Sequence, residues 1–121
     1  MSEETGLPYQ VKDIETALES PELQVRLFTL SAGQVIPWHY HSNVADVFVG
    51  LEGVTLIETR APKARFELEP GQHCQVPPKT AHQVCGKDGQ ACRFALTQGV
   101  GAYDFVPVGG TVGGPVGGKA P

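Results

Sequence analysis

The sequence predicts an all-β fold, either a sandwich or a barrel. About ten short segments alternate apolar and polar residues or are rich in β-branched and aromatic residues, and turn residues such as glycine, proline and aspartate bound them. No segment has the apolar spacing of a convincing helix. At 121 residues the chain has the length of one domain with a single core. We therefore expect one domain of short strands.

The expected strands follow one another between turn signals. The first is a candidate edge strand over Leu7 to Lys12, led by Pro8, and the next segment, Ile14 to Leu18, fits either a helical turn or a strand. The remaining strands are expected at 23–30, 35–41, 46–52, 54–60, 65–68, 73–76, 81–85, 92–98 and 103–106. The two strands on either side of Gly53 are expected to form a hairpin or a sharply bent pair.

Composition divides the chain into three parts. Residues 1–22 form an N-terminal segment with the candidate edge strand, residues 23–106 form the β domain, and residues 107–121 form a Gly/Pro-rich tail. Val-Gly-Gly recurs three times in the tail. A segment of this composition buries too little apolar surface to order itself, so we expect a tail that gains modest order only on assembly with a neighbouring subunit.

The charge balance and hydropathy argue against two classes of partner. The chain has 9 Lys and Arg residues against 13 Asp and Glu residues, a net charge of −4, and it has no basic cluster that could follow a phosphate backbone. Its apolar runs fall short of the roughly 18 residues of a membrane span, and residues 1–4 lack the basic start of a signal peptide. We expect a soluble, cytoplasmic protein without nucleic-acid or membrane partners.

The three cysteines, Cys74, Cys85 and Cys92, are too few and too scattered for a disulfide framework. Cys85 and Cys92 flank a turn-like segment and could lie opposite each other across a hairpin. In a reducing cytoplasm we expect three free thiols that act as small buried hydrophobic side chains.

The most informative stretch of the chain is 33–53. Its histidines, His39 and His41, lie two residues apart, so on an extended strand both rings share a face and can meet one metal ion. A turn-like segment separates them from Asp46, so a returning strand could bring this carboxylate back towards the imidazoles. A second stretch, 71–82, ends in a third imidazole, that of His82.

These two stretches resemble the motifs of the cupin family. The first cupin motif is Gly, five residues, His-x-His, three or four residues, Glu, six residues, Gly, and the matching positions are Gly33, His39, His41, Asp46 and Gly53. The second motif is Gly, five residues, Pro-x-Gly, two residues, His, and the matching positions are Gly71, Pro77 and His82. The chain departs from the family at Asp46, Lys79 and Gly86, where cupins usually have Glu, Gly and often Asn. The resemblance spans about 25–98 and implies a cupin-type jelly-roll β-barrel.

The resemblance also implies a metal site. One divalent transition metal, iron, manganese, nickel, zinc or copper, would bind to His39, His41, Asp46 and His82 inside the barrel. Asp46 is one methylene shorter than the family's Glu. It therefore either ligates the metal directly, or holds a metal-bound water or orients a histidine beside the site.

Membership of the superfamily would leave the reaction open, because cupins catalyse dioxygenation, isomerisation, epimerisation and lyase reactions and some only bind small molecules. We expect a small metal-dependent cupin that acts on a small oxygenated molecule, with dioxygenase-like chemistry slightly ahead of isomerase or lyase chemistry. The alternative is a non-catalytic module that binds a small molecule or a metal. Beyond the ligands, the sequence identifies no catalytic residue.

Three further expectations concern residues around these ligands. Phe48 shares the face of Asp46 and is expected to line the cavity. His73 either lines the pocket or is solvated, and the solvated alternative is favoured. Trp38 and Tyr40 face away from the ligands and are expected to be covered by a second subunit, in a homodimer typical of small cupins, or by the N-terminal strand near residues 9–11.

Overall fold

Ten strands make up the part of the chain, residues 9–108, that the computed structural model describes. They are β1 (Asp13–Ser20), β2 (Leu23–Leu30), β3 (Val35–Tyr40), β4 (Ala45–Glu52), β5 (Thr55–Thr59), β6 (Ala64–Leu68), β7 (His73–Val76), β8 (His82–Gly86), β9 (Cys92–Gly99) and β10 (Val106–Pro107). A short 3₁₀ turn, Lys87–Gly89, joins β8 to β9. Within residues 9–108, no helix is long and apolar enough to cross a membrane.

The strands form two five-stranded antiparallel sheets. Sheet A has the order β1-β2-β9-β4-β7, and sheet B has the order β10-β3-β8-β5-β6. Among the described residues no strand pairing joins the two sheets, so the barrel is not closed by hydrogen bonds and consists of two sheets packed over a shared core. The predicted all-β jelly-roll fold is confirmed in this form.

The core follows from the alternation of side chains along each strand. Every second residue of β9 is buried, and the same pattern recurs in β4 and β8. The ring of Phe94 stacks on that of Phe28 at 5.2 Å between centroids and lies 5.6 Å from that of Phe48. Each such ring, once buried, contributes about 1.5–3 kcal/mol to stability. Aromatic and aliphatic side chains thus fill the space between the sheets and leave one end to polar residues.

The edge strand near the N-terminus lies later in the chain than predicted. Residues 9–12 belong to no strand, and β1 begins at Asp13; Leu7 and Pro8 lie outside the described residues. The ambiguous segment 14–18 is therefore a strand. β1 pairs with β2 along its length, with a bulge between Thr16 and Leu18. Most of its side chains are exposed, so it carries little apolar periodicity, and its pairing partner determines its structure.

Gly53 marks a crossover between the sheets and not a hairpin. β4 belongs to sheet A and β5 to sheet B, so the sharply bent alternative describes this pair. Gly53 has φ +66°, and a Cβ placed there would lie 2.6 Å from the carbonyl oxygen of Ala91. Both the backbone conformation and the close approach therefore require glycine.

The remaining strands lie within one residue of their predicted ends, except at the C-terminus. The strand predicted over 103–106 is shortened to Val106–Pro107, which pairs with Tyr40 and His39 of β3. Residues 103–105 lie outside any strand. In the predicted tail, residues 109–121 lie outside the described residues. The division of the chain at residues 22 and 106 stays a prediction.

The cysteines behave as packing residues. All three thiols are free, and Cys85 on β8 and Cys92 on β9 belong to different sheets, so they do not face each other across a hairpin. Burial raises the pKa of Cys74 to about 11 and also raises the pKa values of Cys85 and Cys92. Since the thiolate is the reactive form, these residues are poor nucleophiles at neutral pH.

Trp38 is covered by a neighbouring side chain. The guanidinium carbon of Arg60 lies 3.9 Å from the centre of the Trp38 ring, a cation–π contact. In the N-terminal segment, Tyr9 packs on Phe105 instead, at 5.5 Å between ring centroids. Arg60, and not the segment near Tyr9, therefore covers Trp38. Cover by a second subunit stays a prediction.

Candidate metal centre

The four candidate ligands meet at one end of the space between the sheets. His39 and His82 are register partners on β3 and β8 of sheet B, and Asp46 is the register partner of Gln98 across β4 and β9 of sheet A. His41 follows the last residue of β3. All four candidate ligands are buried, with relative exposures of 1–3%. Their ligand atoms lie within 4.8 Å of one another.

The three imidazoles are oriented by the backbone. Each Nδ1–H donates to a carbonyl oxygen, from His39 to Pro37 at 2.7 Å, from His41 to Asp104 at 2.6 Å and from His82 to Thr80 at 2.8 Å. These bonds make Nδ1 a protonated nitrogen in each ring and direct Nε2 into the cluster, where it can act as the ligand atom once it carries no proton. Metal-binding histidines typically donate their other ring N–H in this way.

The carboxylate of Asp46 is held from both sides. Its Oδ2 atom lies 3.2 Å from Nε2 of His41 and 2.9 Å from Nε2 of His82. Its Oδ1 atom accepts a hydrogen bond from Nε2 of Gln98 at 3.0 Å, and the same amide nitrogen lies 3.2 Å from Nε2 of His41. Gln98 thus turns Oδ2 of Asp46 towards the imidazoles.

Burial and mutual charge set the protonation states in the cluster. Burial raises the pKa of Asp46, but hydrogen bonds from His41 and His82 outweigh it and hold that pKa well below its ordinary value. Burial lowers the pKa of His41, and Asp46 more than compensates, so the pKa is raised. Burial and the two neighbouring imidazoles hold the pKa of His39 well below 6.5. At neutral pH the cluster therefore contains a carboxylate and a neutral His39 imidazole.

This donor set fits a divalent transition metal. Three imidazole nitrogens and one carboxylate oxygen suit zinc, iron, nickel, copper or manganese. Bonds of about 2.0–2.2 Å place ligand atoms about 3.4 Å apart in a tetrahedron and about 4.3 Å apart when trans, so a cluster spread of 4.8 Å would contract on metal binding. His39, His41, Asp46 and His82 are the residues that would hold the metal.

Further side chains enclose the cluster. The ring of Phe105 stacks on His39 at 4.3 Å with an interplanar angle of 16°, and the ring of Tyr103 lies 5.3 Å from His41. Tyr9 and Arg26 complete the wall of a cavity of about 10 Å³. Such a volume accommodates about one water molecule. A larger ligand therefore requires movement of these wall residues.

Two cavity residues outside the sequence motifs, Gln98 and Arg26, lie on strand faces that the sequence pattern can identify. Gln98 lies on the inward face of β9, two residues from Leu96, and Arg26 precedes Phe28 by two residues on β2. Gln98 is a polar residue on an otherwise apolar strand face, which is a signal visible in the sequence. Arg26 shares its face with Gln24 as well as Phe28, so its signal is weaker. Tyr9 lies outside any strand, and no local pattern places it in the site.

Three further residues singled out in the sequence, Phe48, His73 and Lys79, have different positions relative to the cluster. Phe48 is buried, with its ring 6.2 Å from that of His82, so its expected place in the cavity wall is confirmed. His73 is exposed on β7, as the favoured solvated alternative states. Lys79 has φ +65°, the left-handed conformation that glycine adopts most readily, and its N–H donates to the carbonyl oxygen of His41 at 2.7 Å. Lys79 therefore accepts backbone strain at the family's glycine position and anchors the chain beside His41.

The chain matches a known protein family. A family model described as a cupin domain matches residues 26–97, more than half of the chain. The protein is a cupin. The matched range includes all four candidate ligands and Gln98 is just outside it. Tyr9, Tyr103 and Phe105 also lie beyond the match, so three of the residues that line this cupin's cavity come from segments flanking the family domain.

Solved structures agree with the fold of this cupin. An RmlC-like cupin protein from Desulfovibrio desulfuricans is 25% identical, with a TM-score of 0.61, over 74% of this chain and 83% of the other. A cupin-2 domain protein from Shewanella frigidimarina is 21% identical, with a TM-score of 0.61, over 80% and 89%. A conserved Streptococcus pyogenes protein of unknown function is 20% identical, with a TM-score of 0.64, over 73% of each chain. No curated protein sequence matches this cupin significantly.

Proposed function

We propose that this cupin is a metal-dependent enzyme acting on a small oxygenated molecule, with dioxygenase-like chemistry slightly favoured over isomerase or lyase chemistry. One observation carries the proposal: three imidazoles and a carboxylate converge, buried, within 4.8 Å. A buried cluster of this kind is costly unless its groups are paired or bind a metal. When bound, a divalent transition metal supplies Lewis-acid chemistry and, for iron, manganese or copper, redox chemistry.

The chain's own residues orient and shield the site. Backbone carbonyl groups hold the imidazoles through Nδ1, and Gln98 holds the carboxylate of Asp46. Because Oδ2 of Asp46 faces both His41 and His82, we assign Asp46 as a fourth ligand rather than as a group acting through a water. Phe105 covers His39 and limits the access of water. Burial raises the pKa of Tyr103, so its phenol stays protonated and can donate a hydrogen bond to a substrate oxygen.

The experiment begins with metal-depleted protein. It is reconstituted separately with manganese, iron, nickel, copper and zinc, and metal content is measured by mass spectrometry. We expect one equivalent per chain. Oxygen uptake and product formation are then followed on a panel of small hydroxy, oxo and enol compounds, with His41→Ala as the control for background chemistry. A protein that takes up none of the five metals at neutral pH would refute the proposal.

A non-catalytic metal-binding or small-molecule-binding module is the second candidate. The small cavity of about 10 Å³ favours it, because the wall residues leave little room for a substrate. Stoichiometric metal binding and ligand binding without turnover on the panel would support this candidate over the enzyme.

We also propose that the protein forms a two-fold homodimer. Trp38 stays partly exposed beside Arg60, and Leu18 on the edge strand β1 is 55% exposed. Apolar groups on an edge strand and an outer sheet face commonly lie in interfaces between subunits. Light scattering at micromolar concentration is expected to give the mass of two chains. A monomer whose Trp38 fluorescence is fully quenched by a neutral solute would contradict the dimer.

A cytoplasmic location is proposed as well. The three free cysteines suit a reducing compartment, where disulfides are rare. Cell fractionation tests it, and recovery of the protein with the secreted fraction would contradict it.

A further inference from the structure

Arg26 has hydrogen-bonding capacity that residues 9–108 leave unused. Its guanidinium lines the same cavity as His41 and Asp46. Its Nη2 group donates to the side-chain oxygen of Gln98, but its Nε atom is buried and has no hydrogen-bond partner within residues 9–108. A buried N–H group without a partner costs stability, so it calls for an explanation.

Arg26 also lacks an anionic partner among the described residues. Arg65 pairs with Glu58 and Glu67, and Arg93 pairs with Glu15, but no carboxylate oxygen of residues 9–108 lies within 4.0 Å of Arg26. The carboxylate in the same cavity, that of Asp46, is separated from Arg26 by the amide of Gln98. A positive charge turned into an enclosed cavity without a counter-ion is costly, and an anionic ligand would remove that cost.

Aromatic rings hold the guanidinium in place. Its carbon lies 5.2 Å from the ring centre of Phe28 and 5.5 Å from that of Tyr103. Contacts with ring faces restrain the plane of the guanidinium and leave N–H groups at its edge for a ligand. A planar guanidinium with a restrained orientation matches the geometry of a carboxylate.

We propose that Arg26 binds the carboxylate of a small acid whose second oxygen function, a 2-hydroxy, 2-oxo or second carboxylate group, reaches the His39, His41, Asp46 and His82 cluster. The inference rests on the proposed function, since it names the substrate class of the same site. Gln98 bridges the two ends by contacting both Arg26 and Asp46, which restricts the ligand to a short acid. The cavity of about 10 Å³ must enlarge as the ligand enters, through movement of Tyr9 and Phe105, which close it from outside the strands.

The test uses matched pairs of probes that differ only in the carboxylate. Glycolate is compared with ethylene glycol, and pyruvate with hydroxyacetone, by calorimetric titration into nickel-loaded full-length protein. The variants are Arg26→Met, which keeps the length of the side chain without its charge, and Arg26→Lys, which keeps the charge without the planar group. Arg65→Met is the control because Arg65 is an exposed residue of β6 outside the cavity. Nickel content and melting temperature are measured for every protein before any probe is added.

Wild-type protein is expected to bind at least one acid about 10-fold or more tightly than its neutral partner, as a charge-assisted hydrogen bond predicts. Arg26→Met should abolish that preference with nickel content unchanged, Arg26→Lys should retain part of it, and Arg65→Met should behave as wild type. Equal binding of acids and neutral partners, no binding of either at millimolar concentration, or an unchanged preference in folded Arg26→Met and Arg26→Lys would overturn the inference.

Failure of the proposed function gives a different result. It appears as uptake of none of the five metals by the wild-type protein, before any probe is added. The same titrations are then made on the metal-free protein, where a preference for acids that depends on Arg26 would support the carboxylate site alone, and its absence would overturn it.

Discussion

His41→Ala is expected to lower the affinity for a divalent metal by about 100-fold or more while the fold is retained. The substitution removes one of the three Nε2 donors and one of the two imidazoles that contact Oδ2 of Asp46. Changes beside a metal ligand already cost about 10- to 100-fold, so loss of a ligand should cost at least the upper value. The fold should persist because His41 follows the end of β3, away from the stacked rings of Phe28 and Phe94.

Competition with a chromophoric chelator measures this affinity, and circular dichroism during thermal unfolding checks the fold. His73→Ala is the matched control, since it removes an exposed histidine of β7 that lies outside the cluster. It should bind metal as the wild-type protein does. A His41→Ala protein with the metal content of the wild type would contradict the assignment of the site.

The same assay distinguishes the two possible roles of Asp46 by comparing the metal affinities of Asp46→Ala and His39→Ala. If Oδ2 ligates the metal, Asp46→Ala should weaken binding about as much as His39→Ala, because each removes one of four ligand atoms. If Asp46 only orients its neighbours, its loss should cost less than that of His39. Folding has to be checked for each variant, because Asp46→Ala also leaves the amide of Gln98 without its acceptor.

The four candidate ligands were predictable because each depends on local spacing. Strand alternation places His39 and the inward residues of β3 on one face, and the motif spacing places Asp46 and His82 on strands that the structure brings together. Register then pairs His39 with His82. Gln98 was predictable in the same way, as a polar residue on the inward face of β9.

The residues that close the cavity were not predictable from local patterns. Tyr9 and Phe105 lie outside any strand, and they meet each other because the two segments that carry them pack against the same cavity. Such contacts depend on tertiary packing and leave no periodic signal. The same limit explains β1, whose mostly exposed side chains give no clear period and whose structure depends on pairing with β2. It also explains Gly53, where the crossover between sheets depends on the close approach of Ala91, which is distant in sequence and immediately precedes β9.

The apparent metal affinity is expected to fall as the pH drops, and the fall should begin at a higher pH than for an ordinary histidine. Metals and protons compete for the same imidazole nitrogens. Burial lowers the pKa of His41 but its contact with Asp46 raises it further, so protons compete for this ligand at a higher pH than for an ordinary histidine at 6.5. The pKa of His39 is held well below 6.5 by burial and by its two neighbouring imidazoles, so His39 is already neutral and releases no proton when metal binds near neutral pH. Metal affinity should therefore depend less steeply on pH than it would if three independent imidazoles each released one proton.

The same shifts determine how the stability of the metal-free protein varies with pH. His39 binds fewer protons folded than unfolded, so its contribution is lost as the pH falls below 6.5. His41 acts in the opposite direction: its raised pKa stabilises the fold below 6.5, and this contribution disappears as the pH rises through the folded-state pKa. Asp46 has a lowered pKa, so its contribution is present above its ordinary value of 3.8 and is lost only in stronger acid.

Asp46→Asn separates these effects. Without the carboxylate, His41 loses the main partner that raises its pKa, so that pKa falls. The onset of metal loss should then move to lower pH even though overall affinity is weaker. Chelator competition from pH 5 to 8 measures both quantities for wild type, Asp46→Asn and the His73→Ala control, whose onset should match the wild type. Two results would show that Asp46 and burial do not set the protonation of this cluster. One is an unchanged onset of metal loss in Asp46→Asn, and the other is a wild-type affinity that changes with pH as if three protons were released.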